Sequence, residues 1–209
     1  IQRFETISET GVDHVHNARR TSNTDDPVSL LFVGRLVRSK GVLHAIRAMA
    51  RLPKDFRATL KICGTGTLAP LCEREISRLG LQGTVELLGH VPKSEVFGLY
   101  GESDIFLFPS YREPSGNVVL EGMSFGLPVI TTTVGGPGYV VSDDCGIRVP
   151  PSSPSRFEAE LAEAIVSLGT DRALLDRMGR AARDHVESVA LWPRKIDWMC
   201  DLYDDLKRS

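Results

Sequence analysis

From Leu30 onward, short runs of β-branched and aromatic residues alternate with longer stretches whose apolar residues recur at helical spacing. No other feature narrows the fold as much, because strand, helix and strand in alternation join neighbouring strands through crossovers and so build a parallel sheet. The strand runs are LLFVGRL (30–36), ATLKIC (58–63), TVELLG (84–89), DIFLFPS (104–110), PVITTTV (128–134) and GIRVP (146–150). Helical patterns lie between them at GVLHAIRAMARL, LAPLCEREISRLG, KSEVFGLYGES and NVVLEGMSFG. The expected fold is α/β, a doubly wound parallel sheet of about six strands, with ligands at the loops that follow the strands' carboxyl ends. After Pro154 only helical patterns remain, with apolar stripes at Phe157, Leu161, Ile165, Leu168 and at Leu174, Leu175, Met178, Ala182 that read as packing faces.

Composition removes several classes of function. With 209 residues, 42% of them hydrophobic, the chain can bury one sizeable core, which excludes a disordered or fibrous protein. A net charge of −2 gives no global reason to expect nucleic acid as a partner. The four cysteines, Cys63, Cys72, Cys145 and Cys200, are too widely spaced for a zinc site or a redox pair and fit a reducing cytosol. The first residues lack the apolar core of a signal peptide, and the apolar runs are strand-length, so no transmembrane segment is expected. His14 and His16, alternating in the polar lead-in, read as solvated residues.

Three loops carry candidate chemistry. The first, Gly34-Arg35-Leu36-Val37-Arg38-Ser39-Lys40-Gly41, places cations between a strand end and a helix start. Exposed N–H groups there already carry positive charge, so Arg35 and Lys40 make sense around an anion such as a phosphate, a solvated loop being the alternative. The order Lys-Gly excludes a Walker A loop. The second is Gly64-Thr65-Gly66, which with Ala69 satisfies the GxGxxG/A dinucleotide fingerprint, with Glu86 about twenty residues on. A nicotinamide- or flavin-dependent oxidoreductase therefore stays open, but that fingerprint normally follows the first strand, and Glu86 sits inside TVELLG rather than at its end. A tight turn allowing close backbone approach explains the glycines equally well. The third runs from Pro109 to Glu121: Glu113 falls in a loop, and Glu121 about one turn into an otherwise apolar helix. A carboxylate in such company needs hydrogen-bond or cationic partners, and the vicinal hydroxyls of a ribose would serve. The helix start at Gly116-Asn117 offers a second place for a phosphate.

In order and spacing, GRLVRSKG, the GTG turn, GHVP (89–92), DIFLFPS, the Glu113-x7-Glu121 pair and GLPVITTTVGG resemble the carboxyl-terminal domain of family-four retaining glycosyltransferases. The resemblance covers almost the whole chain. It implies one half of a GT-B fold, Rossmann-like, with additional carboxyl-terminal helices. It divides the chain into 1–27, the tail of an amino-terminal domain and a linker; 28–190, the nucleotide-sugar-binding domain; and 191–209, a crossover helix. Thr10-Gly11-Val12-Asp13 is similar to the Asn-Gly-Val-Asp that ends the family's first domain. By the same resemblance, Arg35 and Lys40 hold and stabilise the departing donor diphosphate, Glu113 contacts the transferred sugar, and Glu121 binds the ribose. Ser115, Gly116, Asn117 and Val118 face the phosphates, Gly64, Thr65 and Gly66 border the nucleotide, and Val91 and Pro92 lie near the base. The implied chemistry is retaining transfer of a sugar from a nucleoside diphosphate sugar. No Asp-x-Asp occurs in the sequence, so neither a metal nor another cofactor is expected. The partners implied are that donor and an amino-terminal acceptor domain, without which the chain is expected to bind donor but transfer poorly. Peripheral contact with the inner face of a membrane through that domain stays open. A non-catalytic nucleotide-sugar-binding module is a second reading, because Tyr139 stands where many relatives carry Glu, and Ser115 where an aromatic residue is common.

Overall fold

The computed structural model describes residues 10–16 and 26–208. Six strands form one sheet: β1 (Val28–Val33), β2 (Ala58–Cys63), β3 (Val85–Gly89), β4 (Ile105–Phe108), β5 (Val129–Thr132) and β6 (Gly146–Val149). All neighbours are parallel, in the order 3-2-1-4-5-6, with Leu30 opposite both Leu60 and Ile105 at the centre. The runs are nearly all apolar because helices cover both faces of such a sheet, and Ile105 to Phe108 are buried without exception. Strand β1 begins two residues earlier than its pattern suggests and stops before Gly34. The chain turns at Gly34 because its backbone must accept the neighbouring loop.

The helices are α1 (Val42–Met49), α2 (Ala69–Leu79), α3 (Lys93–Glu102), α4 (Asn117–Ser124), α5 (Gly135–Val140), α6 (Pro154–Thr170), α7 (Arg172–His185) and α8 (Trp192–Arg208). A 3-10 turn, Arg38–Lys40, precedes α1, and a five-residue π-helix, Val186–Ala190, joins α7 to α8. Helix α1 packs against α2 and α6. There two buried carboxylates are ringed by bases. Glu75 accepts from Arg47 at 2.6 Å and Arg78 at 2.9 Å; Glu158 accepts from Arg51 at 3.2 Å, with His44 at 3.1 Å and Arg47 at 3.5 Å. The hydrogen bonds from Arg78 and Arg47 pull the Glu75 carboxyl down to about 2. Elsewhere α3 meets α4 through rings: Tyr100 stacks on Phe125 with centroids 5.5 Å apart, and Phe97 lies 5.7 Å from the same ring.

Residues 10–16 are fastened to the domain. Val12 and Leu191 form a parallel bridge, the Val12 amide donates to Ala190 at 3.0 Å, and the buried Lys195 ammonium donates to the Thr10 carbonyl. His16 is not the solvated residue its polar surroundings suggest. Its amide donates to Ser124 at the end of α4, and its ring stacks on Phe125 at 4.0 Å. The bulk of the 1–27 lead-in, residues 1–9 and 17–25, lies outside the described residues. Helix α8 carries Trp192, Ile196, Met199, Tyr203 and Leu206 exposed, spaced alternately by four and three residues.

Candidate active site

The strand order reverses direction between β1 and β4, and a crevice opens above their carboxyl ends, where ligands of such sheets bind. Three of the sequence-marked loops meet there because their backbones are sewn together. Ser39 accepts from the Tyr111 amide and the Ser110 hydroxyl, each at 3.1 Å, and a Cβ on Gly41 would lie 2.1 Å from the Pro109 carbonyl oxygen. The buried Thr132 hydroxyl donates to Ser110 at 2.6 Å, adding the loop after β5. On that loop the Gly136 amide donates to the Glu113 carbonyl at 2.8 Å, and a Cβ on Gly135 would meet the same oxygen at 2.6 Å. The glycines of GGPG are thus needed so that two loops can lie backbone to backbone.

This stitching brings Lys40 and Glu113 into an ion pair, with side chains only 12% and 14% exposed. The other Glu113 oxygen accepts from the Gly116 amide at 3.4 Å, so the carboxylate spans from the α1 start to the α4 start. Burial, and then the neighbouring Arg35 charge, lower the Lys40 pKa from its ordinary value. Arg35 is exposed and has no ion pair among the described residues. Two neighbouring positive groups with a single carboxylate paired to one of them leave a surplus that an anion would relieve.

Gly116 caps α4 with φ +78, and Asn117 and Val118 open its first turn. Ser115 is half-buried, and its backbone lies under Gly136. Glu121, one turn further on and 20% exposed, pairs with Lys93 at 3.1 Å. Lys93 is the first residue of α3 and directly follows Val91 and Pro92, so the stretch expected near a base lies beside the carboxylate expected at a ribose. The sequence alone gave no signal for this partner, which lies 28 residues away on another helix.

The Gly64 to Gly66 turn has a structural explanation. Gly64 has φ +142 and a Cβ there would sit 1.9 Å from the Gly34 carbonyl oxygen; one on Gly66 would sit 2.5 Å from that of Leu36. Leu36 in turn donates to Thr65 at 2.8 Å and accepts from Leu68 at 2.9 Å. The turn is glycine-rich so that it can lie against the cationic loop, leaving Thr65 exposed at the rim. Glu86, the second residue of β3, is exposed near the strand's amino end, far from where a ribose-binding acid of a dinucleotide site belongs. The dinucleotide fingerprint is therefore a by-product of loop packing. Tyr139, in the short helix α5, is 70% exposed. Among the described residues no helix is long and apolar enough to cross a membrane.

Residues 16–185 match the family model described as glycosyl transferases group 1. An uncharacterized glycosyltransferase of Methanocaldococcus jannaschii is 35% identical, with 77% of this chain and 39% of that protein covered. The glycogen synthase of Mycobacterium tuberculosis is 32% identical, with 98% and 49% covered. The chain thus spans about half or less of the curated relatives it matches. In fold, the pneumococcal O-GlcNAc transferase, crystallised with UDP and GlcNAc, superposes with a TM-score of 0.80 at 21% identity, over 98% of this chain and 40% of that one.

Proposed function

The chain belongs to the glycosyl transferases group 1 family, and from that premise we propose that it is the donor-holding half of a retaining glycosyltransferase. The observation that supports this reading is the pairing of Lys40 with Glu113, beside the Arg35 charge, in the loops that follow β1 and β4, with Glu121 on the helix that starts at the same carboxylate. Arg35 and Lys40 take the diphosphate of a nucleoside diphosphate sugar, aided by the amides at the start of α4. Glu121 takes the ribose hydroxyls, Val91 and Pro92 border the base, and Glu113 reaches the sugar. The bond from the anomeric carbon to the diphosphate breaks with its electron pair leaving on phosphate oxygen, the acceptor oxygen bonds to the same face of that carbon, and the proton the acceptor loses goes to the departing diphosphate. Fixed positive charge beside that oxygen lowers the barrier. Cationic side chains do here what a divalent ion does elsewhere, so the reaction needs no metal. The UDP in the pneumococcal transferase supports a uridine nucleotide as the first donor to try.

Transfer requires acceptor-binding residues beyond this chain, which spans 39% to 49% of those two relatives. A cytosolic setting is supported by Cys63, Cys72, Cys145 and Cys200, all free thiols. The test is a thermal-shift panel of UDP-, GDP- and ADP-sugars against NAD and NADP, with and without EDTA. Stabilisation by one nucleotide-sugar series, unaffected by EDTA, is expected. Stabilisation by NAD or NADP alone would overturn the reading, and dependence on EDTA would overturn its metal-free part. Joining the chain to its natural upstream sequence and assaying transfer separates an enzyme half from a binding module, the reading that Tyr139 favours.

A further inference from the structure

We propose that Lys93 and Tyr100, both on α3, are positioning residues that fix the Glu121 carboxylate for a vicinal diol, so that the site selects nucleotides with intact 2′- and 3′-hydroxyls. This inference rests on the reading of Glu121 as the ribose-binding group. A glutamate one turn into a helix has three free torsions, and holding one rotamer ahead of the ligand removes an entropic cost from binding. Two side chains supply that restraint. The Lys93 ammonium lies 3.1 Å from Glu121 Oε1 and 5.5 Å over the Phe97 ring, four residues along its own helix. The cation, on an otherwise exposed side chain, thus lies over one ring and against one carboxylate oxygen.

Tyr100 acts from the buried side. Its ring has no exposure, wedged edge-on to Phe106 at 5.5 Å and stacked on Phe125. Its hydroxyl donates to the Val118 carbonyl at 3.3 Å, in the first turn of α4 and three residues before Glu121. Burial, and next the Glu121 charge, raise its pKa well above the ordinary phenol value, so it keeps its proton and remains a donor. One phenol thus pins the first turn of α4, the turn before the one that bears Glu121. A carboxylate has about four acceptor positions, and Lys93 takes one of them, so room remains for two ribose hydroxyls. Lys93 also follows Val91 and Pro92 without a break, so the segment bordering the base sets the angle of the ribose carboxylate.

The test uses the full chain and two probes, uridine diphosphate and 2′,3′-dideoxyuridine diphosphate, with the guanosine and adenosine pairs run alongside. Lys93→Met keeps the stem without the charge, and Tyr100→Phe keeps the stacked ring without the hydroxyl. Each variant is expected to weaken the ribonucleotide by about three- to tenfold while changing the dideoxynucleotide less than about twofold. Glu121→Ala serves as the reference and is expected to erase the difference between the two probes. If Glu121→Ala erases it but Lys93→Met and Tyr100→Phe weaken both probes equally or neither, the positioning inference is overturned and the reading of Glu121 stands. If Glu121→Ala itself leaves the ratio unchanged, the reading of Glu121 has failed and the inference falls with it.

Discussion

Carboxylates meet bases in two regions of this domain. On the α1, α2 and α6 face, Glu75 and Glu158 are buried, and Arg47, Arg51, Arg78 and His44 surround them. In the crevice above β1 and β4, Glu113 has Lys40, Glu121 has Lys93, and Arg35 stands exposed beside them. The first cluster joins three helices by filling the acceptor sites of its acids from neighbouring elements. The second is spread over loops and helix starts at one edge of the sheet, with Arg35 and Lys93 exposed and Lys40 largely buried. Pairing alone therefore does not mark a binding site; what marks it is pairing left open on one side at the place where the sheet's topology makes a crevice.

The largest effect should come from the wall of the crevice rather than from a charge. Gly64→Ala forces a side chain at φ +142 into the Gly34 carbonyl, and should destabilise the fold by about 3–4 kcal/mol in denaturant unfolding. A variant as stable as the parent would mean that the turn is glycine-rich for a ligand. Next, Glu75→Ala should lower stability by about 2 kcal/mol while nucleotide affinity stays unchanged, which would separate the two regions directly. Glu75 titrates near 2 in the fold instead of its ordinary 4.5, so its contribution is full above about pH 4.5 and is lost as pH falls towards 2. Acid unfolding of the Glu75→Ala variant should accordingly show a flatter pH dependence over that window. The smallest effect on folding belongs to Arg35→Ala, which should leave unfolding unchanged but weaken diphosphate binding about tenfold, measured by calorimetry. Lys40→Ala should weaken binding at least as much and also cost some stability, because it strands the half-buried Glu113. Unchanged binding in both variants would remove the phosphate cradle.

The sheet was legible because its inner strands β1, β4 and β5 are buried almost throughout and read as strand-like runs, while β2, β3 and β6 are interrupted only by Lys61, Glu86 and Arg148. The three site loops were legible because they follow those strands. What escaped was local geometry that contradicts local composition. Gly135-Gly136-Pro137-Gly138 lies outside every helical pattern in the sequence, yet it opens α5, and two of its glycines allow the close approach to Glu113 and Ser115. His16 reads as solvated, yet Phe97 and Phe125 hold it. Lys93 and Tyr100 look like unremarkable positions of a helical stretch, and only the packing of α3 on α4 sets Lys93 against Glu121 and Tyr100 against the first turn of α4. Likewise the ring of bases around Glu75 and Glu158 joins residues up to 114 positions apart, beyond the reach of any spacing rule.

Helix α4 has two ends with different attachments. Its first turn carries Gly116 and the amides beside Glu113, and its last residue receives the His16 amide from the segment leading into the domain. At eight residues it is a rod about 12 Å long, too short to bend. His16 and Glu113 are therefore moored to opposite ends of one stiff rod, and a displacement at either end would be passed along its axis to the other.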